Sequence, residues 1–119
     1  KKNNEKKIIL WGTGEPRREF IYSHDLAKAI IFLIKLDSDI DLPLNIGVGS
    51  DISIKSLADV IKKLTNFKGT IEWDTKKPNG TLNKLLDSSR INNLGWVSEN
   101  NFENSIKETL IWYKKKYDS

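Results

Sequence analysis

Residues 24–36 form a helix-length segment with almost no polar face. Leu26, Ala27, Ala29, Ile30, Ile31, Phe32, Leu33 and Ile34 occupy nearly its whole circumference. A helix that is apolar on most sides must be covered by a sheet or a neighbouring domain, so this segment constrains everything packed around it. Ser23 stands where an N-cap belongs.

The other elements are short. Ile8-Ile9-Leu10-Trp11 has strand length and is closed by the loop signal Gly12-Thr13-Gly14-Glu15-Pro16. Phe20-Ile21-Tyr22 and Leu44-Asn45-Ile46 read as two further strands, the second closed by Gly47-Val48-Gly49. Ile54, Leu57, Ala58, Ile61 and Leu64 recur at helical spacing as one apolar stripe, with Ser53 as the cap. Residues 70–74 alternate Ile71 and Trp73 with polar neighbours, as a half-buried strand should. A loop over 75–81 follows, turning at Pro78-Asn79-Gly80. A short helix around 88–94 stops at Gly95, and a last helix runs from Phe102, capped by Asn101, to Tyr117. Trp73, Trp96 and Trp112 follow these periodicities and read as core. The expected fold class is therefore α/β, a mixed, α+β-like small domain whose sheet is too small to be a complete doubly wound one. Residues 1–7 read as a polar N-terminal extension and 8–119 as one domain, a usual size for a single core.

With 38% apolar and 30% charged residues the chain is expected to fold. It has no apolar run near the ~20 residues of a membrane span. Its opening Lys1-Lys2-Asn3-Asn4 lacks both an initiator methionine and a signal-peptide core, which suggests a piece of something longer. The absence of cysteine excludes disulfides, thiolate metal sites and a cysteine nucleophile within the chain, and fits a reducing, cytoplasmic setting. The single histidine, His24, rules out a histidine-built metal site, and its place in the first turn of a helix suggests the surface. The net charge of +4 favours an anionic partner. A nucleic acid would need an aromatic-studded basic strand face or a recognition helix. Neither is present, so no nucleic acid and no membrane is expected.

Two clusters carry chemistry. Gly12 and Gly14 resemble a phosphate-binding glycine loop only superficially, because a dinucleotide fingerprint needs G-x-G-x-x-G leading into a helix. Here Pro16 and two arginines follow. Arg18 either pairs with Glu15 or Glu19 or presents its planar fork to a phosphate. Trp11 is either core or a surface for a ligand ring. The second cluster, Thr75–Lys84, is a glycine/proline loop with Asn79 and three lysines, suited to an anionic, hydroxyl-rich ligand or to a plain basic turn.

Taken together, Trp11-Gly-Thr-Gly-x-Pro-x-Arg18-Glu-Phe-Ile-Tyr followed by Asp25-Leu26-Ala27 resembles the extended short-chain dehydrogenase/reductases that act on nucleotide sugars. Leu44-Asn-Ile-Gly-x-Gly49 with Ile54-Lys-x-Leu-Ala58, Trp73-Asp-Thr-x-Lys-Pro-x-Gly-Thr81, and Lys84-Leu-Leu-Asp-x-Ser-Arg90 are similar to the branch of GDP-L-fucose synthases. The resemblance covers the chain from about Ile8. It implies the C-terminal, GDP-sugar-binding domain of such an enzyme, without the NADPH-binding Rossmann domain that precedes it. It also implies 3,5-epimerisation and 4-keto reduction of GDP-4-keto-6-deoxy-D-mannose by the whole enzyme, as a homodimer. Another NAD(P)-dependent nucleotide-sugar epimerase or dehydratase is the alternative. No catalytic residue carries over, and none of the metal-binding kind. The implied substrate-binding residues are Trp11, Arg18, Asn79 and Lys84. Asn79 stands where relatives generally have aspartate, and Leu82-Asn83 where they often have Pro-Arg. NADPH belongs to the whole enzyme and is not expected on this chain.

Overall fold

The computed structural model describes residues 6–36, 40 and 43–117; residues 1–5 of the polar extension lie outside the described residues. The chain divides into two compact units, one built from residues up to Arg18 together with Asp51–Lys84, the other from Glu19–Ser50 and Leu85 onward.

In the first unit, strand β1 (Lys7–Trp11) runs parallel to a strand over Thr70–Asp74, with Lys7 opposite Thr70 and Trp11 opposite Asp74. Helix Ile54–Leu64 lies between these strands in the chain. Its cap is the expected one, since Ser53 Oγ accepts the Ser56 N–H at 3.0 Å. Ile54, Leu57, Ala58 and Ile61 from the helix and Ile8 and Leu10 from β1 line an apolar cavity, so the predicted stripe does face the strands. A second, smaller sheet joins β2 (Arg17–Arg18), β3 (Ile52–Ser53) and a strand at Asn83–Lys84, in the order β3, β2, Asn83–Lys84. We number the helix α2 and the strands at 70–74 and 83–84 β4 and β5. β2 is antiparallel to β3 and parallel to β5, which places Arg18 opposite Lys84.

In the second unit, α1 (Ser23–Lys35) and α3 (Ser89–Asn93) carry Ala29 and Ile91 into a core with Trp96, and α4 (Phe102–Tyr117) follows, its Phe102 ring 6.0 Å from that of Phe20. Ile21, Phe32, Leu33, Leu44 and Ile46 pack against that core. The predicted strands at 20–22 and 44–46 are not strands here. Ile21, Leu44 and Ile46 are partly buried and Phe20 is 37% exposed, and no described residue offers either segment a ladder partner. Asn101 Oδ1 caps α4 as expected, accepting from Glu103 N–H at 2.9 Å. The cap of α1 is Tyr22 instead of Ser23, with no side-chain bond. The predicted burial of α1 is largely unmet: only Asp25 and Ala29 are buried, while Ile30, Ile31 and Ile34 are 47%, 52% and 78% exposed. Trp112, predicted as core, is also exposed and stacks edge-on with Tyr117.

Asp25 is the buried charge of this unit. Its carboxylate accepts from the Ser98 hydroxyl at 2.6 Å and from the backbone and side-chain amides of Asn100. Burial pushes this carboxyl's pKa up, but the bonds from Ser98 and Asn100, aided by nearby Lys28, outweigh it and hold the pKa below the ordinary value. A lowered folded pKa contributes stability that is complete above the unfolded value near ~4 and is lost as pH falls through the folded one. Asp25→Asn should therefore melt below wild type at pH 7, with the gap closing as the pH falls below ~4. Thermal melts at both pH values check this, and an equal gap at both would remove Asp25 from the acid response.

Candidate functional site

The glycine turn after β1 is held from two sides. Gly12 N–H donates to the Asp74 carbonyl at 2.9 Å, and the Gly14 carbonyl accepts from Lys55 N–H at 2.8 Å, at the start of α2. Both glycines have φ near the left-handed region, +78° and +77°, where a side chain is strained. There is no room for one either. A Cβ on Gly14 would stand 2.6 Å from the Trp73 ring, and one on Gly12 would stand 2.3 Å from Asn79 Oδ1.

Trp11, immediately before this turn, is 71% exposed, and the Lys77 ammonium lies 5.3 Å from its ring centre. It is therefore a surface aromatic in this chain, beside the glycine loop. Asn79 is half-buried, and its amide oxygen accepts from Thr13 N–H at 2.7 Å and from the Thr13 hydroxyl at 3.2 Å.

Arg18 and Lys84 are cross-strand neighbours in β2 and β5. The Arg18 guanidinium donates to the carbonyls of Arg17 at 2.7 Å and Leu82 at 3.4 Å. Neither acidic neighbour pairs with it. Glu19 is bound to the backbone N–H groups of Val48, Gly49 and Leu86 at 2.7, 2.8 and 3.1 Å, and Glu15 accepts from the Thr13 hydroxyl. The carboxylate in this region goes to the other arginine, since Asp51 lies 2.8 Å from Arg17. Among the described residues no carboxylate forms an ion pair with Arg18 or Lys84. Like charges directly opposite in a sheet are mildly destabilising.

The geometry brings Arg18 to Lys84, Lys77 to Trp11, and Asn79 to the Gly12–Gly14 turn. A Cβ on Gly80, next to Asn79, would stand 3.8 Å from Arg18 Nη2. Sequence reasoning passed over Thr13 and Arg17. Thr13 could have been found as the one hydrogen-bonding side chain between two glycines. The division of labour between Arg17 and Arg18 has no local signal, because it depends on where Asp51 lands. His24 is exposed and rests against Tyr22. Among the described residues no group of three or more acidic or histidine side chains can hold a metal ion.

The glycine turn does not suit the pyrophosphate of NADPH. It runs through Pro16 into β2 and not into a helix N-terminus, and the Asn79 oxygen fills the space in front of Gly12.

The model of the NAD dependent epimerase/dehydratase family matches residues 1–47. GDP-L-fucose synthase 1 of Arabidopsis thaliana is 39% identical over 97% of this chain, which spans about a third (35%) of the relative. A crystal structure of a GDP-L-fucose synthetase from Naegleria fowleri bound to NADP superposes with a TM-score of 0.87 at 29% identity, over 95% of this chain and 36% of that one. A GDP-mannoheptose C4 reductase from Campylobacter jejuni with NADP bound gives a TM-score of 0.81 at 38% identity, over 92% and 35% of the two chains. No described helix is long and apolar enough to cross a membrane. By motif, sequence and architecture, the chain is similar to about a third of the length of GDP-L-fucose synthases and, over residues 1–47, to the NAD dependent epimerase/dehydratase family.

Proposed function

We propose that this chain is the GDP-sugar-binding part of an enzyme that epimerises GDP-4-keto-6-deoxy-D-mannose at C3 and C5 and reduces its 4-ketone with hydride from NADPH. The observation that carries the reading is the pairing of Arg18 with Lys84 across β2 and β5, with no carboxylate among the described residues ion-paired to either. Two adjacent cations, one of them a planar fork, suit a diphosphate. Trp11 offers its open face to the nucleotide sugar, and Asn79 borders the same surface. The proton- and hydride-transfer groups and the NADPH site belong to a preceding Rossmann domain of the whole enzyme, whose cover for α1 would explain that helix's apolar face. A cytoplasmic homodimer belongs with this reading.

The resemblance to a GDP-mannoheptose reductase favours one second reading, a reductase of another GDP-linked keto sugar. Calorimetric titration of the chain with GDP, UDP and dTDP tests the shared element. GDP should bind at least tenfold tighter than the other two, and NADPH should show no saturable micromolar binding. Equal affinities for the three diphosphates would overturn the assignment to GDP-sugars, and tight NADPH binding would overturn the assignment of this chain to the substrate side.

A further inference from the structure

We propose that Asn79 is a positioning residue. Its amide oxygen latches the Gly12–Gly14 turn to the Pro78–Gly80 turn, and the affinity of the site for a nucleoside diphosphate depends on that latch and not on a contact between Asn79 and the ligand. The part concerning affinity rests on the site reading above.

The orientation of the amide is set by chemistry. A backbone N–H can only donate, so the Asn79 atom 2.7 Å from Thr13 N must be the oxygen. The Thr13 hydroxyl reaches the same oxygen at 3.2 Å. A carbonyl oxygen has two lone pairs: Thr13 N–H takes one, and the Thr13 hydroxyl, whose single proton is shared with Glu15 Oε2 at 3.3 Å, competes for the other. A ligand hydroxyl would have to displace the Thr13 hydroxyl to reach this oxygen, while the backbone donor stays in place.

The latch closes a long connection, because Thr13 and Asn79 are 66 positions apart in the chain. It joins the turn that begins just after Trp11 to the turn that passes beside the Arg18 guanidinium. Gly12 has its place in the same device. With φ at +78° and its missing Cβ only 2.3 Å from Asn79 Oδ1, it leaves the space the amide fills. Without the latch, the spacing between the exposed indole and the cation pair would rest only on the backbone bonds around each turn. An aspartate would accept the same two donors through a charged oxygen, and more strongly. The amide nitrogen is the group such a change would remove.

Asn79→Asp and Asn79→Ala in the full chain separate the two roles, read by exchange of the Thr13 amide hydrogen by NMR and by calorimetric titration with GDP. The latch predicts Thr13 exchange at least tenfold faster and GDP binding about tenfold weaker in Asn79→Ala, with both within threefold of wild type in Asn79→Asp. If Asn79→Ala does not fold, Asn79→Asp still decides. Loss of its GDP affinity with Thr13 protection kept would mean that the amide nitrogen meets the ligand, which overturns the proposal. So would unprotected Thr13 in the wild type, or unchanged exchange in Asn79→Ala. If wild type binds no GDP at all, the function reading fails, while Thr13 exchange alone still decides whether the latch exists.

Discussion

Trp96→Ala is expected to lower the stability of the chain by about 3–5 kcal/mol, the range for truncating a large buried aromatic side chain. Trp96 is 8% exposed and shares the core of the second unit with Ala29 and Ile91, both fully buried. With so few buried residues in this core, the surroundings cannot close over the vacancy without uncovering Ile91. Trp112→Ala is the internal control. That ring is 55% exposed, so its removal should cost under about 1 kcal/mol. Urea denaturation of the two variants beside wild type measures both. A similar small loss in each would mean that the three-residue core is not where this unit's stability resides.

The second large effect concerns affinity. Arg18→Ala or Lys84→Ala should each weaken GDP binding by about 1.5–3 kcal/mol, tenfold or more, as expected for a charge-assisted contact. The double variant should lose a hundredfold or more. Arg18→Lys should recover only part, because an ammonium cannot reproduce the fork. The stability change should run the other way: relieving like charges opposite one another in β2 and β5 should leave the melting temperature unchanged or slightly higher. Raising the salt concentration should weaken wild-type binding more than that of the double variant. If both cations were ordinary surface charges, their loss would cost at most about 1 kcal/mol of stability and no affinity. GDP titration at low and high salt, paired with melts, separates the cases, and unchanged affinity in the double variant would remove the diphosphate site.

What was legible in the sequence follows from the range of the interaction involved. α2, β4 and α4 begin or end where expected because their signals are local: Ser53 bonds three residues on, Asn101 two residues on, and Ile71 alternates with its own neighbours. Phe20–Tyr22 and Leu44–Ile46 were misread because a short apolar segment speaks of burial and not of pairing, and pairing needs a second segment. Ile21, Leu44 and Ile46 do pack against the core. The apolar circumference of α1 was read as a demand for cover, yet Ile30, Ile31 and Ile34 remain 47%, 52% and 78% exposed. Among the site residues, Arg18 and Lys84 were legible individually. Their adjacency was not, because it depends on the register of two strands that are only two residues long. Asn79 was legible as polar and exposed to a turn, but its engagement by Thr13 could be read only once the two glycine turns met.

The register of the first unit also governs the order in which it can form. β1 meets β4, and β2 meets β5, through residues separated by most of the chain between Lys7 and Lys84. Only α2 and its cap can form from nearby residues. Loop-closure entropy must be overcome before either sheet repays it, and pairings at such separation are slow. The cation pair and the Thr13–Asn79 bond are thus late events, assembled after the helix. In a refolding experiment, helical signal should return first and the ability to bind GDP only in the slowest phase. Competence for ligand is then a report on the finished unit, and no earlier stage on the folding path carries it.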